Sequence, residues 1–502
     1  MDSRIAQLAA TFDEQDADLV GGDPLGFAGY DVQLADARRE ANAREACVWG
    51  WADIAGVECA LVVMDFAFLG GSMGVAVGEK IARAFNAATK RKLPVVTVTA
   101  SGGARMQEGM VALAQMAKTA AARSRHMTHG LPHVTLLTSP TTGGVYASFA
   151  SLADVVLAEP RATIGFAGPR VVAELTGAAP DATVSTAEFA AEHGLVDEIV
   201  PPGEQRSTIA RVLRNLTRAP GPTAVARTPS PKTPVGEHRS RTAFERLEIA
   251  RHADRPKASQ ILDALLDDAF EFRGDRLGSD DRGVVVRAGA LPGGRRVLGI
   301  GQDSSGEGRI GSSGFRKAVR LLRLAARYDL PVVTLIDTRG ADPLAGSEGR
   351  GVAAAIAWTF VALLECPTPT LAVVVGEGGS GGALAMAVCD RVLAWENAVF
   401  SVIAPDAAAS ILYRDATRGP ELAERLGITA ADLVRFGIVD AIVPEPVGGA
   451  HTDPAAAADA LAARVADEVE ELATMSRRRR LARRRRRWRE AGNDWIGRRP
   501  SL

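Results

Sequence analysis

The sequence predicts an α/β protein built from two copies of one domain, and three observations carry that prediction. The pentapeptide LPVVT occurs at residues 93–97 and again at 330–334, an offset of 237 residues. The segment TTGGVYASFASLADVVLAEPRATIGFAGP (141–169) lines up with GSGGALAMAVCDRVLAWENAVFSVIAP (379–405), pairing Gly143-Gly144 with Gly381-Gly382, Asp154 with Asp390 and Pro169 with Pro405. A third block, GLVDEIVP at 194–201, returns as GIVDAIVP at 437–444. Three blocks in one order, at offsets of 236 to 243 residues, mark a duplicated domain. Solenoid repeats are far shorter, about 20–50 residues.

Each element of a copy follows from its local pattern. GEKIARAFNAATKRK (78–92) and GFRKAVRLLRLAARYD (314–329) have helical spacing of apolar residues. Each precedes an apolar, β-branched run, LPVVTVTA or LPVVTLID, as expected of a strand buried on both faces. A glycine step follows each strand, Gly103-Ala104 in the first copy and Gly340-Ala341 in the second. Alternating strands and helices argue for a largely parallel sheet. The domains expected are residues 1–217 and 243–475. RAPGPTAVARTPSPKTPVGEHRSRT (218–242) is read as a linker from its Pro, Ser, Thr and Arg content, and 476–502 as an Arg-rich tail.

The 502 residues are too many for one ordinary domain, and 47% hydrophobic with 24% charged residues is usual for a folded soluble chain. Lys plus Arg (59) nearly balances Asp plus Glu (60). Basic charge is concentrated near the end, where nine of the eleven residues Arg477 to Arg487 are arginine. Such a run binds phosphates in some proteins, but it is read here as a solvated tail, with nucleic acid not expected as a partner. The four cysteines, Cys47, Cys59, Cys366 and Cys389, form no CxxC pair, so no metal and in particular no zinc is expected. With no signal peptide and no run of about 20 apolar residues, the expected location is the cytoplasm and no membrane partner is expected.

The chemistry points to the glycines. Ser101-Gly102-Gly103-Ala104-Arg105 follows a strand, and Gly143-Gly144 opens a small-residue helix. Glycine at a strand end lets backbone approach a ligand, and a helix start offers free N–H groups at the positive end of its dipole. Two such sources facing one point form an oxyanion hole. The second copy repeats the device with Arg339-Gly340-Ala341 and Gly378 to Ala383. Close turns and helix packing would also explain these glycines singly; the repetition in matched contexts favours the site. Ser101 and Ser380 have no evident base and are read as loop serines. Glu108 and Glu377 are read as solvated or salt-bridged carboxylates before acids or bases. Two oxyanion holes without a side-chain base suit a reaction whose substrates supply their own proton acceptor.

These blocks resemble the carboxyltransferase of bacterial acetyl-CoA carboxylase, with β and α subunits fused in one chain. FLGGSMGVAVGEK (68–80), SGGARMQEG (101–109), TTGGVYASFA (141–150) and IGFAGPRVV (164–172) are β-like. RPKASQILDAL (255–265), FRGDR (272–276), VVGEGGSGGALA (374–385), ENAVFSVIAP (396–405) and VPEPVGGAHTDP (443–454) are α-like. The resemblance implies two crotonase-like domains. It implies carboxyl transfer from carboxybiotin, borne on a separate carrier protein, to the thioester acetyl-CoA, with biotin N1 as the base. A biotin carboxyl carrier protein, a biotin carboxylase and a homo-oligomer with sites between domains are the implied partners. Gly143, Gly144, Gly381 and Gly382 are implied as the two oxyanion pairs, and Gly102, Gly103, Ala104, Arg105, Gly340 and Ala341 as ligand loops. Propionyl-CoA or another acyl-CoA as acceptor, and a non-catalytic CoA-binding relative, are the alternatives. Two departures stand out: the β-like half lacks the family's four-cysteine zinc ribbon, and Arg339 and Asp342 replace a Pro and a Tyr of the family's IDTPGAYPG.

Overall fold

The computed structural model describes residues 1–165, 185–217, 241–305 and 308–491. The chain forms two compact units, Met1–Arg218 with Phe272–Ser279, and Ala219–Glu271 with Asp280–Leu502. FRGDR, expected in the α-like half, belongs to the first unit. Arg276 is ion-paired there with buried Asp197, whose Oδ1 also accepts the Arg273 N–H at 3.0 Å. Pro169, the block 166–172 and most of the expected linker lie outside the described residues.

The first unit holds strands β1 (Thr11–Gln15), β2 (Cys47–Ile54), β3 (Val57–Met64), β4 (Val95–Ser101), β5 (His133–Thr142), β6 (Val155–Ala158), β7 (Ile164–Gly165) and β8 (Glu198–Ile199). Its sheet runs β1-β2-β3-β4-β5-β6-β8, with β7 on the end of β5. The pairs from β1 to β3 are antiparallel and those from β3 onward parallel. Every residue of β4 is buried, as its unbroken apolar and threonine sequence requires. Helices α1 (Val75–Arg91) and α2 (Gly109–Thr128) link β3 to β4 and β4 to β5.

The second unit repeats this plan with β9 (Asp267–Phe272), β10 (Val284–Ala290), β11 (Arg296–Gln302), β12 (Arg309–Ile310), β13 (Val332–Thr338), β14 (Gly340–Ala341), β15 (Thr370–Gly379), β16 (Arg391–Trp395), β17 (Val399–Ser401) and β18 (Ala441–Val443). The order β9-β10-β11-β13-β15-β16-β18 matches the first sheet strand for strand. Helices α3 (Ser312–Tyr328), α4 (Val352–Glu365) and α5 (Ser380–Ala387) stand where the duplication predicts. The α/β class and the doubled domain are therefore as the sequence predicted.

One expectation fails. Residues 477–490 are not a solvated tail but a helix, α6 (Arg477–Glu490), packed on the second unit. Arg484 is fully buried: its guanidinium pairs with Asp390, Nε to Oδ1 at 2.9 Å, and donates to the carbonyls of Cys366 at 2.8 Å and Thr368 at 3.1 Å. Arg480 donates to Pro367 O, and Arg487 reaches Asp440 at 2.6 Å. Positions 480, 484 and 487 share one helix face. The other arginines made the segment read as solvent-facing throughout.

Candidate active site

The two glycine loops share a hydrogen-bond pattern. In the first unit Ser101 Oγ accepts the Gly103 N–H at 3.0 Å; in the second Thr338 Oγ1 accepts the Gly340 N–H at 3.1 Å. Those hydroxyls hold the glycines at φ +122° and +120°, a region that excludes side chains. Ser101 is thus a loop serine. Beyond Gly103, its carbonyl accepts the Met73 N–H at 2.8 Å and the Arg105 N–H returns to Met73 O at 3.1 Å. The Ala104 N–H between them has no acceptor among the described residues. In the second unit the Asp342 N–H returns to Ile310 O at 2.8 Å and passes over the Ala341 N–H in the same way.

The helix starts lie against these free N–H groups. A Cβ on Gly144 would stand 3.7 Å from Ala104 N, and one on Gly143 only 2.8 Å from Gly103 Cα. A Cβ on Gly382 would stand 2.6 Å from Ala341 N, whereas one on Gly381 would meet nothing within 4 Å. First-turn N–H groups have no intrahelical acceptor, so each unit brings a loop N–H and a helix N-terminus together. The strand ladders also correct the sequence alignment by one residue. Val95 pairs with His133 and Val332 with Thr370, so Gly143 corresponds to Ser380 and Gly144 to Gly381. Gly143 and Ser380 share a left-handed backbone, φ +59° and +55°. Sequence matching followed the visible glycine pair and missed that Ser380 takes this backbone too.

The Arg105 side chain does not line a ligand surface. It is completely buried, bonded to Glu45 at 2.7 Å and Ser72 O at 2.9 Å, with Glu108 and the Tyr30 hydroxyl each at 3.4 Å. Glu108 in turn accepts the Tyr30 O–H and the Val75 N–H, both at 2.6 Å, anchoring the start of α1. Burial, with the Glu108 hydrogen bond, raises the Tyr30 phenol above its ordinary range. Glu377 is held by Arg251 through two bonds of 2.7 Å. Both glutamates are therefore salt-bridged. Asp337, just before the second loop, accepts the Glu377 N–H at 3.1 Å, and burial raises its carboxyl above the usual range.

Sequence reasoning missed Glu45, Tyr30, Arg251 and the pair Arg255–Glu445, because each partner lies far away in the chain. Glu445, in the PEPVGGAH block, binds Arg255 at 2.7 Å and accepts the Asn397 and Ala450 N–H groups. That block is a clamp on the residues around it. Gln302 Nε2 fixes the Gly382 carbonyl at 2.8 Å, while its Oε1 is buried with no hydrogen-bond donor among the described residues. Among the described residues no cluster of three metal-ligating side chains occurs, and no helix is long and apolar enough to cross a membrane.

Comparison with known proteins follows the same lines. Residues 236–492 match the family described as acetyl co-enzyme A carboxylase carboxyltransferase-like. The acetyl-coenzyme A carboxylase carboxyl transferase subunits beta/alpha of Salinispora tropica is 45% identical over 494 residues, covering 95% of this chain and 87% of the relative. Its counterpart in Saccharopolyspora erythraea is 41% identical over 497 residues, covering 97% and 87%. The transcarboxylase 12S core, solved with methylmalonyl-coenzyme A and methylmalonic acid bound, superimposes with a TM-score of 0.75 at 22% identity, covering 94% of this chain and 89% of that one; it shares the fold. Two copies of one α/β domain, each with a glycine loop against a helix N-terminus, and relatives matching nearly end to end, place this chain in the acetyl-coenzyme A carboxylase carboxyltransferase family.

Proposed function

We propose that this chain is the carboxyltransferase of a biotin-dependent acetyl-CoA carboxylase, moving a carboxyl group from carboxybiotin to acetyl-CoA to give malonyl-CoA. The observation that supports this reading most is the doubled device: two unpartnered loop N–H groups, Ala104 and Ala341, each beside a helix start. Carboxyl transfer to an enolate develops negative charge on two oxygens, one on the thioester and one on the ureido ring, and each needs donors already in place. Gly143 and Gly144 with Gly102, Gly103 and Ala104 form one donor set in this reading. In the register that matches Gly144 to Gly381, Ser380 and Gly381 with Gly340 and Ala341 form the other, and Gly382, implied beside Gly381 by the sequence, packs against Ala341 N. Arg105 acts as a positioning residue, holding the first loop through Glu45 and Ser72.

The residues present fit a ureido group. Ala341 N–H and the first turn of α5 offer donors for its oxygen. Biotin, borne on a separate carrier protein and charged by a biotin carboxylase, supplies the carboxyl group when bound. Among the described residues the carboxylates beside the loops are engaged, Glu108 and Glu377 in ion pairs and Asp337 with the Ser304 hydroxyl and the Glu377 N–H, so the chain's own part is to polarise and align. The active form in this reading is a homo-oligomer. The test is labelled bicarbonate incorporation with carrier and carboxylase present, comparing acetyl-CoA with propionyl-CoA. Labelled malonyl-CoA is expected; equal or faster labelling of propionyl-CoA would overturn the assigned acceptor.

A further inference from the structure

Helices α1 and α3 are the same helix in the two copies, and each buries a lysine at the same turn. Lys80 and Lys317 are 237 positions apart and are 1% and 2% exposed. Both helices end on a left-handed residue, Lys92 or Asp329, and both are followed by a leucine N–H returning at 3.0 Å, Leu93 to Ala88 O and Leu330 to Ala325 O. Lys317 is satisfied: its Nζ donates to Asp280 Oδ1 at 2.7 Å and to Val284 O at 2.8 Å. Lys80 has neither a hydrogen bond nor a carboxylate oxygen within 4.0 Å among the described residues.

The copies differ at the position that faces this lysine. The Asp65 N–H donates to Ala46 O at 2.9 Å as the Asp303 N–H donates to Gly283 O at 2.9 Å, which fixes the local register. Counting back three residues along it sets Ala43 at the position of Asp280. The first unit has the lysine without the carboxylate. A pocket of about 360 Å³ is there instead, lined among others by Met1, Glu14, Ala43, Glu45 and Lys80. Its other inner charges are engaged: the Met1 ammonium with Asp65 at 3.1 Å, Glu45 with Arg105 at 2.7 Å. Asp2 and Glu14 are exposed to water. Among the described residues Lys80 is the one buried charge on this pocket that has no counter-ion, and a buried charge is costly until it is paired.

We infer that this pocket binds a small carboxylate anion, whose carboxylate takes on Lys80 the place that the Asp280 side chain takes on Lys317. The volume falls in the range of small-molecule sites, about 300–1,000 Å³. The site is separate from the glycine loops and does not depend on the function proposed for them. It touches them through one ion pair, because Glu45 lines the pocket and binds Arg105, the residue after Ala104. An anion here bears on the charge balance that holds the loop.

The test is calorimetric titration of the full chain with sodium acetate and sodium malonate at constant ionic strength, with sodium phosphate and chloride as comparison anions. Saturable binding of acetate or malonate is expected. It should weaken about tenfold or more in Lys80→Gln, on the scale of a hydrogen bond to a charged group. It should also be lost in Ala43→Asp, which supplies the missing carboxylate from within, while Lys80→Arg retains it. A wild-type crystal soaked in malonate asks the same question without substitution, with density expected at Lys80 Nζ. Absence of saturable carboxylate binding, binding that survives both Lys80→Gln and Ala43→Asp, or equal binding of phosphate and chloride would overturn the inference.

Discussion

Gly381→Ala separates a structural glycine from a functional one. A Cβ there meets nothing within 4 Å, and the backbone is not left-handed. The residue is exposed and is the second of α5. Replacing helical glycine by alanine stabilises by about 0.5–1 kcal/mol, so the melting temperature of the variant should hold or rise. Activity should move the other way. The open space beside Gly381 borders the first-turn N–H groups, and a methyl group there occupies room that a substrate oxygen needs to reach them. Loss of one oxyanion donor costs roughly a hundred- to a thousandfold in kcat. We expect malonyl-CoA formation, followed by label transfer, to fall about a hundredfold on that scale, and further in Gly381→Val. Gly382→Ala is the contrasting case. Its Cβ would stand 2.6 Å from Ala341 N, so backbone must shift, and a loss of about 1–3 kcal/mol in stability is expected. If Gly381→Ala and Gly381→Val are both stable and both run at the wild-type rate, the helix start contacts no substrate, and the oxyanion reading of this loop is wrong.

Other outcomes follow from buried charge. Arg484→Ala leaves buried Asp390 with only the more distant Arg480, at 3.7 Å, and should cost up to about 3–5 kcal/mol in denaturant unfolding; a loss below 1 kcal/mol would show that α6 is dispensable. Arg105→Met strands Glu45 and Glu108 together and should lower stability by a similar amount, with unchanged midpoints counting against the network. Lys317→Met should destabilise clearly while Lys80→Met does not, since only the former breaks an ion pair; equal effects would contradict the asymmetry between the copies. Burial lowers the His126 imidazole from 6.5 to about 4. The unfolded chain therefore binds the proton first as pH falls, and stability should drop between about pH 6.5 and 4, by on the order of 3 kcal/mol from this residue. His126→Gln should flatten that slope in unfolding measured at pH 7 and pH 5.

Much of this was legible in the sequence because duplication shows everything twice. LPVVT gave two strands, and the loops after them recur down to the hydroxyl that caps a glycine N–H, serine in one copy and threonine in the other. The network around Arg105 was not legible. A guanidinium beside glycines reads as a ligand contact, and its true partner Glu45 lies 60 residues earlier. Helix α6 misled for a related reason: an arginine that faces water and one that seals a buried aspartate have the same letter. Only the position of Asp390 across the fold tells them apart. The one-residue slip between Gly143 and Ser380 arose because serine seldom takes a left-handed backbone, so the glycines drew the alignment.

The aspartates at the heads of β6 and β16 carry a consequence for how the units form. In the first unit Asp154 accepts the His133 N–H and is paired with Arg123 at 2.8 Å, a residue 31 positions earlier. In the second, Asp390 accepts the Thr370 N–H in the same way, but its arginine comes 94 positions later. The added loop-closure entropy is modest, about 1 kcal/mol. The order of synthesis matters more. As the chain emerges from a ribosome, the first sheet meets its cation before its own aspartate is made. The second reaches its cation only once α6 has been made.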